Sequence, residues 1–573
     1  MMSNHQSDLV TQSEPAPTWM IYRRQIRSVD VNIRKWERLS PIDSGSVEEV
    51  HKNDFSIEVG IQFGRYSANA KERWIHAYYW KESKWPLVRG TWFWKDPIDG
   101  TICPFGEADA ATIEEAYQDI SSGVEEGPID CELVDTDIVA GTVQFVRELV
   151  TTQHQGPASL SPAPIQTVTN TKTTHALYRQ AAGSTRVDRI ETFREYPVPW
   201  VERSEEKLDS HVSHLILAVH GIGEALYNRQ NDPLLGSLRF RGNVDLFREN
   251  VNTRLVESGD RTITGRVEVL PIEWSECIHN NTLDRRMESV TIPNLTGVRD
   301  FANLALSDVF LYTQNDIKEK ISKFIKIRIK SILKRFFAKN EDKDIIISFF
   351  GHSLGSVVLY DLFNNGVGSR EDLGESNSAD DSFIVRPSAL FFVGSPLALF
   401  QTIRDPAVSD SPRHVINLPC RVFNVFHPFD AIAYRVEPLI DQKMKDVEPV
   451  LIPHRGGHRM HVAIKKSVAD IRNAIASFSE WVYTNTSTQP TIGSSTPPGQ
   501  TTTLDRDEIR FVKMMNYNER IDYVLQESSL ESVSEWMAAV GSHFTYWRHE
   551  DVYNFIVHKL IFITKNKSNL NFI

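Results

Sequence analysis

What the chain has little of narrows its class first. Four cysteines, Cys103, Cys131, Cys277 and Cys420, are scattered over 573 residues with no C-x-x-C pair. That excludes a disulfide scaffold and a cysteine-built zinc site, and it fits free thiols in a reducing compartment. No run approaches the roughly 18 apolar residues that a membrane-spanning helix needs. The opening residues, MMSNHQSDLVTQSEPAP, lack the basic-then-apolar order of a secretory signal. Positive charge is short as well. A net charge of −12 argues against nucleic acid as a partner. Internal repeats are missing. The expectation is a cytoplasmic chain of two domains whose membrane contact is peripheral.

What is present divides the chain. Residues 1–18 read as disordered, and 19–126 as an aromatic-rich α+β module. Its densest stretch, WIHAYYWKESKWPLVRGTWFW (Trp74–Trp94), alternates aromatic and polar residues and breaks at Gly90, which predicts short paired strands. ADAATIEEAY (Ala108–Tyr117) reads as a helix. Large aromatics in a small module build its core in the plainer reading; recognition of a peptide or ligand is the other. Residues 127–213 read as a connecting segment, with a Thr-, Pro- and Gln-rich polar linker at 150–175. From His214 to the end, strands alternate with helices. This predicts an α/β domain with a mostly parallel sheet, interrupted by a low-complexity insertion at 481–504.

The organising stretch of that domain is Asp344–Asp361, DIIISFFGHSLGSVVLYD. Ile345, Ile346, Ile347, Phe349 and Phe350 read as a buried strand, and the apolar run to Phe363 as a helix. Between them lies Gly351-His352-Ser353-Leu354-Gly355, a G-x-S-x-G nucleophile elbow in the strand–turn–helix setting it requires. The turn needs nearly side-chain-free residues on either side of the serine so that strand and helix can pack. It also lifts the serine oxygen to a helix N-terminus, where negative charge is favoured. Ser353 is the candidate nucleophile. An earlier strand, Leu215–Val219, opens on His220-Gly221-Ile222-Gly223. Backbone N–H groups of Leu354 and of Gly221, Ile222 and Gly223 are the candidate oxyanion donors.

Another strand, RVFNVF (Arg421–Phe426), opens on His427-Pro428-Phe429-Asp430. An acid belongs at such a strand end, so Asp430 is the candidate orienting acid; otherwise it caps a turn after Pro428. Six histidines follow it: 454, 458, 461, 543, 549 and 558. A position after the last strand, RIDYVL (Arg520–Leu525), leaves 543, 549 and 558, and the aromatic neighbours of His543 favour it as the base. Ile317–Asn340 carries nine lysines and arginines against Glu319, with apolar residues at helical spacing. It is either a solvated helix face or an approach surface for anionic lipid.

Together these strings resemble the intracellular phospholipase A1 family defined by a DDHD domain. The resemblance runs through YYWKESKWPLVRGTWFW, LAVHGIG, VEVLPIEW, GHSLGS, FFVGSPL, VFHPFDAIAYRVEPL, RIDYVLQE and SHFTYW with Asp551. It implies an α/β-hydrolase-like fold whose DDHD region spans about 382–565, with the four naming residues at Asp430, Asp522, His543 and Asp551. It implies a WWE-like N-terminal module, sn-1 ester cleavage of glycerophospholipids at intracellular membranes, and phosphatidic acid as the favoured substrate. His543 becomes the base and Asp430 its partner, while Asp522 and Asp551 support the histidine loop. No cofactor is implied. Arg435 and Arg455 are candidates to hold an anionic head group. A protein partner at the N-terminal module and homo-oligomerisation stay open. Two other readings remain: a metal-dependent phosphoesterase built on the Asp/His quartet, and a lipid-binding trafficking scaffold.

Overall fold

Strands buried on both faces carry near-continuous apolar sequence, and parallel sheets flanked by helices are built from such strands. The computed structural model assembles the apolar runs of residues 203–573 in this way. The structure describes 18–26, 32–53, 57–81, 84–95, 102–122, 129–132, 142–147, 164–169, 177–180 and 187–189 of the first unit, residues 1–202. Of the second it describes 207–222, 240–279, 281–292, 307–340, 344–364, 385–405, 418–454, 503–526 and 542–566.

The elements of the second unit include β1 (Asp209–Val219), α1 (Phe240–Ser258), β2 (Gly265–Ile272), α2 (Ser307–Thr313), α3 (Asn315–Lys339) and β3 (Ile346–His352), with a further helix at Asn281–Val290. They continue with α4 (Leu354–Asn364), β4 (Ala389–Val393), α5 (Leu397–Arg404), β5 (Arg421–Phe426), β6 (Val450–Leu451), α6 (Thr503–Met515), β7 (Asp522–Val524) and α7 (Glu550–Lys565). The seven strands form one sheet in the order β2-β1-β3-β4-β5-β7-β6, and every pair is parallel. The order reverses direction at β1, so the switch point, where α/β sheets open a crevice at their C-terminal edge, lies between β1 and β3. Alternate residues of the strands, among them Ile216, Ala218, Phe350, Phe391, Phe423 and Tyr523, build one core with Phe247, Trp547, Tyr553 and Phe555.

Helix α3 is the basic segment. It buries Ile321, Ile325, Ile329, Ile332, Leu333 and Phe336 on one stripe and leaves Lys320, Lys323, Lys326 and Lys334 exposed on the other side. Its start is pinned by Asp361 of α4, which takes Lys318 at 3.1 Å, Arg404 at 2.9 Å and the Tyr312 hydroxyl at 2.8 Å. Among the described residues no helix is long and apolar enough to cross a membrane.

The first unit is antiparallel. Six strands pair in the order 32–38, 18–26, 85–90, 74–77, 66–69, 59–61. Trp19 and Trp92 are fully buried, and their indole N–H groups donate to Glu48 and Glu114. These two tryptophans are core residues. The 127–213 stretch is more structured than a connector: Pro164–Thr169, inside the expected linker, pairs with Thr142–Arg147, and Leu177–Gln180 pairs with Trp92–Lys95. PIQTVT is polar enough to hide its strand character, but the ladder uses backbone groups. The expected disorder before Thr18 and the insertion through residue 502 lie outside the described residues.

Candidate active site

Ser353 sits where β3 ends and α4 begins, with φ at +54°, a left-handed conformation that non-glycine residues rarely hold. The flanking glycines make that turn possible. A β-carbon on Gly351 would lie 2.7 Å from the Ser356 Cα, and one on Gly355 would lie 2.5 Å from the carbonyl oxygens of Val219 and His220. The close packing of elbow on β1 is therefore backbone on backbone. Ser356 ties the turn further, donating to the Ser353 carbonyl and bonding the Ser395 hydroxyl at 2.6 Å.

Three side chains far apart in the sequence meet here: Ser353 after β3, Asp430 after β5, and His543 on the helical turn just before α7. His543 Nε2 lies 2.9 Å from Ser353 Oγ, and its Nδ1 lies 3.0 and 2.9 Å from the two oxygens of Asp430. Serine, histidine and aspartate are all buried. Burial alone would raise the Asp430 carboxyl. Hydrogen bonds and charge from His543, with Tyr546 O–H and Ile432 N–H, outweigh it and hold that carboxyl below its ordinary value. The arrangement is a serine hydroxyl, an imidazole with one ring nitrogen on it and a carboxylate on the other nitrogen, the geometry that a nucleophile, a base and an orienting acid require.

Gly221 follows β1 against the serine: a β-carbon there would stand 2.6 Å from Ser353 Cβ. Its loop is clasped by Trp274, the last residue of the VEVLPIEW string. The Trp274 backbone N–H donates to His220 Nε2 at 2.9 Å, and its indole N–H to the His220 carbonyl at 3.0 Å. The two rings stack at 4.7 Å. Ile222 is described and half-buried; Gly223 lies outside the described residues. Leu354 opens α4, where a backbone N–H has no intrahelical acceptor.

The remaining sequence candidates go elsewhere. Arg435 is not poised for a head group. Its guanidinium donates to Asp522 and to the carbonyls of Met444, Lys445 and Val447, which locks a loop. Arg455 lies outside the described residues. Asp522 supports the 435–437 turn and not the histidine loop: it accepts from Arg435 Nε, Asn424 and the N–H groups of Val436 and Glu437. Burial and the neighbouring Glu437 charge raise its carboxyl. Asp551 accepts from His454 at 3.1 Å. Asp430, Asp522 and Asp551 thus face three different sets of partners, and among the described residues no cluster of three or more candidate ligands could hold a metal ion. Of the other candidate bases, His549 caps α7 and His558 lies within it; His458 and His461 are outside the described residues. Tyr546 and His352, both bonded to the His543–Asp430 pair, were not singled out from sequence. The spacing of Tyr546, three residues after His543, was the available signal.

Comparison with known proteins adds a family. A model of the DDHD domain matches residues 383–504 and 484–561, which takes in Asp430, Asp522, His543 and Asp551. The chain is 23% identical to the human triacylglycerol hydrolase DDHD2 over 94% of its own length and 92% of that protein. It is 22% identical to the human SEC23-interacting protein, covering 95% of this chain and 72% of that one. With human phospholipase DDHD1 it shares 26% identity over 69% of this chain and 48% of the relative.

Proposed function

We propose that this chain, a lipid hydrolase of the DDHD-domain family, is a serine phospholipase A1 acting on the sn-1 ester of glycerophospholipids, with phosphatidic acid preferred. The observation that carries the serine mechanism is the unbroken contact from Ser353 Oγ through His543 to Asp430 at the C-terminal edge of the sheet. His543 Nε2 takes the serine proton as Oγ attacks the ester carbonyl. Asp430 keeps Nδ1 protonated and the ring in line. The N–H of Leu354 and those of the Gly221–Ile222 loop receive the developing oxyanion. His543 returns its proton to the departing lysophospholipid, and water then attacks the acyl-serine by the same relay.

A lipid in a bilayer must be approached from its surface. The exposed lysines of α3 in an otherwise acidic chain support peripheral binding to anionic cytoplasmic membranes. One relative's name gives triacylglycerol as the alternative substrate, so both lipids belong in the test. The test measures fatty-acid release from phosphatidic acid vesicles and from triacylglycerol emulsions, by wild type and Ser353→Ala, with and without EDTA. The proposal expects release from the vesicles that vanishes in the variant and ignores the chelator. Release surviving in a folded Ser353→Ala protein would sink the serine mechanism; release from the emulsion alone would overturn the substrate.

A further inference from the structure

The geometry points to Tyr546 as a positioning residue of the reaction, its phenol fixing the Asp430 carboxylate that orients His543; the inference rests on the serine mechanism proposed above. The hydroxyl donates to Asp430 Oδ2 at 2.7 Å and accepts the His427 backbone N–H at 2.8 Å. A phenol has one proton to give, so the acceptor contact leaves that proton aimed at the carboxylate. Ile432 N–H holds the other oxygen at 2.9 Å. His543 and Tyr546 stand three residues apart on one helical turn, 542–548, and therefore on one face. That turn rests on Asp430 through two side chains, one the proposed base and the other a fixed strut.

The strut cannot swing aside. Tyr546 is fully buried, and Gly394 (φ +60°) lies so close that a β-carbon there would stand 2.7 Å from Tyr546 Cε2 and 3.0 Å from Asp430 Oδ2. A tyrosine present only to fill space would be matched by phenylalanine. Here phenylalanine keeps the ring, strips one of the donors from a buried carboxylate and leaves the His427 N–H without its acceptor. A carboxylate with fewer donors is the stronger base. It pulls harder on the Nδ1 proton of His543 and so favours the imidazolium over the neutral ring.

The test compares wild type, Tyr546→Phe and a protein carrying 3-fluorotyrosine at 546, a stronger donor of the same shape. Hydrolysis of a soluble short-chain ester is followed against pH, and the downfield proton resonance of the His543–Asp430 bond is recorded alongside. Tyr546→Phe is expected to lower kcat about 10-fold with KM unchanged, and to move the acid limb of kcat/KM up by about half a pH unit. Fluorotyrosine should move that limb down, and the resonance should shift oppositely in the two proteins. Coincident pH profiles, or a resonance indifferent to both changes, would overturn the positioning role. A wild type inert toward every ester would instead end the serine mechanism, and the resonance would then decide the role of Tyr546 alone.

Discussion

His352, the residue directly before Ser353, donates from Nε2 to the backbone carbonyl of His543 at 2.8 Å. The elbow thus holds by hydrogen bond the very segment, 190 positions along the chain, whose imidazole bonds its serine. The rings lie 5.0 Å apart, and His352 is buried. Burial, with the neighbouring His543 second, pushes His352 down to about 3. It is a neutral, fixed donor at any working pH.

The first prediction concerns that donor. His352→Phe keeps an aromatic ring in the space but leaves the His543 carbonyl unmatched, and it should lower kcat on a soluble ester roughly 10- to 100-fold. His352→Gln, whose amide can donate from nearly the same place, should recover most of the loss. Equal damage from both would mean that packing and not the hydrogen bond matters.

The second concerns acid stability. The folded chain refuses a proton on His352 until about pH 3, whereas the unfolded chain accepts it near 6.5. Between those values the unfolded state binds more protons, so stability must fall as pH falls, by up to about 1.4 kcal/mol per unit. Asp522 works the other way: its raised carboxyl keeps in the fold a proton that the unfolded chain has lost, so its contribution declines as pH rises. Only a difference separates the two. Denaturant melts of wild type and His352→Gln from pH 7.5 to 4 should converge or cross as pH falls, because the variant lacks the histidine slope. A pH-independent gap would contradict the assignment.

A third prediction uses two glycines. At Gly221 an added methyl meets Ser353 Cβ at 2.6 Å and the His352 carbonyl at 2.9 Å, so it presses on the proposed nucleophile. Gly221→Ala should lower kcat about 100-fold or more while costing about 1–3 kcal/mol of stability. Gly394→Ala adds a strained positive φ and strikes the acid–base side, Tyr546 and Asp430. It should be the less stable of the two by thermal melting. An active, unperturbed Gly221→Ala protein would show that the loop does not abut the serine in solution.

These contacts explain what sequence could and could not yield. The elbow was legible because its constraints are local: strand, turn and helix are contiguous, and Gly355 is needed within one turn of Ser353. Asp430 was legible from its place at a strand end. His543 was narrowed to three candidates by position, and family resemblance had to support the choice, because its partners lie 113 and 190 residues away. Arg435 was misread for the same reason. Its charge is visible in sequence, but the carbonyls that occupy it belong to a loop that folds back from 444–447. Trp274 reads as the end of an apolar strand, and nothing near it announces that His220 is its partner.

The last prediction tests the approach to lipid. On α3, Lys318 is held by Asp361 and Arg328 by Glu276, so neither is a fair probe of a free surface. Lys320, Lys323 and Lys326 are exposed, and beside them Ile327 is 59% exposed, a large apolar side chain among cations on the face opposite the buried isoleucines. A basic residue close to an anionic bilayer contributes about 1 kcal/mol, so replacing all three lysines by glutamine should weaken binding to phosphatidic acid or phosphatidylserine vesicles about 100-fold at low salt. The difference should shrink as added salt shortens the reach of the charges. Hydrolysis of a soluble ester should not change, since none of the three touches Ser353, His543 or Asp430. Vesicle sedimentation and the soluble assay on the same preparations separate the cases. Undiminished vesicle binding by the triple variant would return this helix to a plain solvated face and move the search for the membrane-facing surface elsewhere.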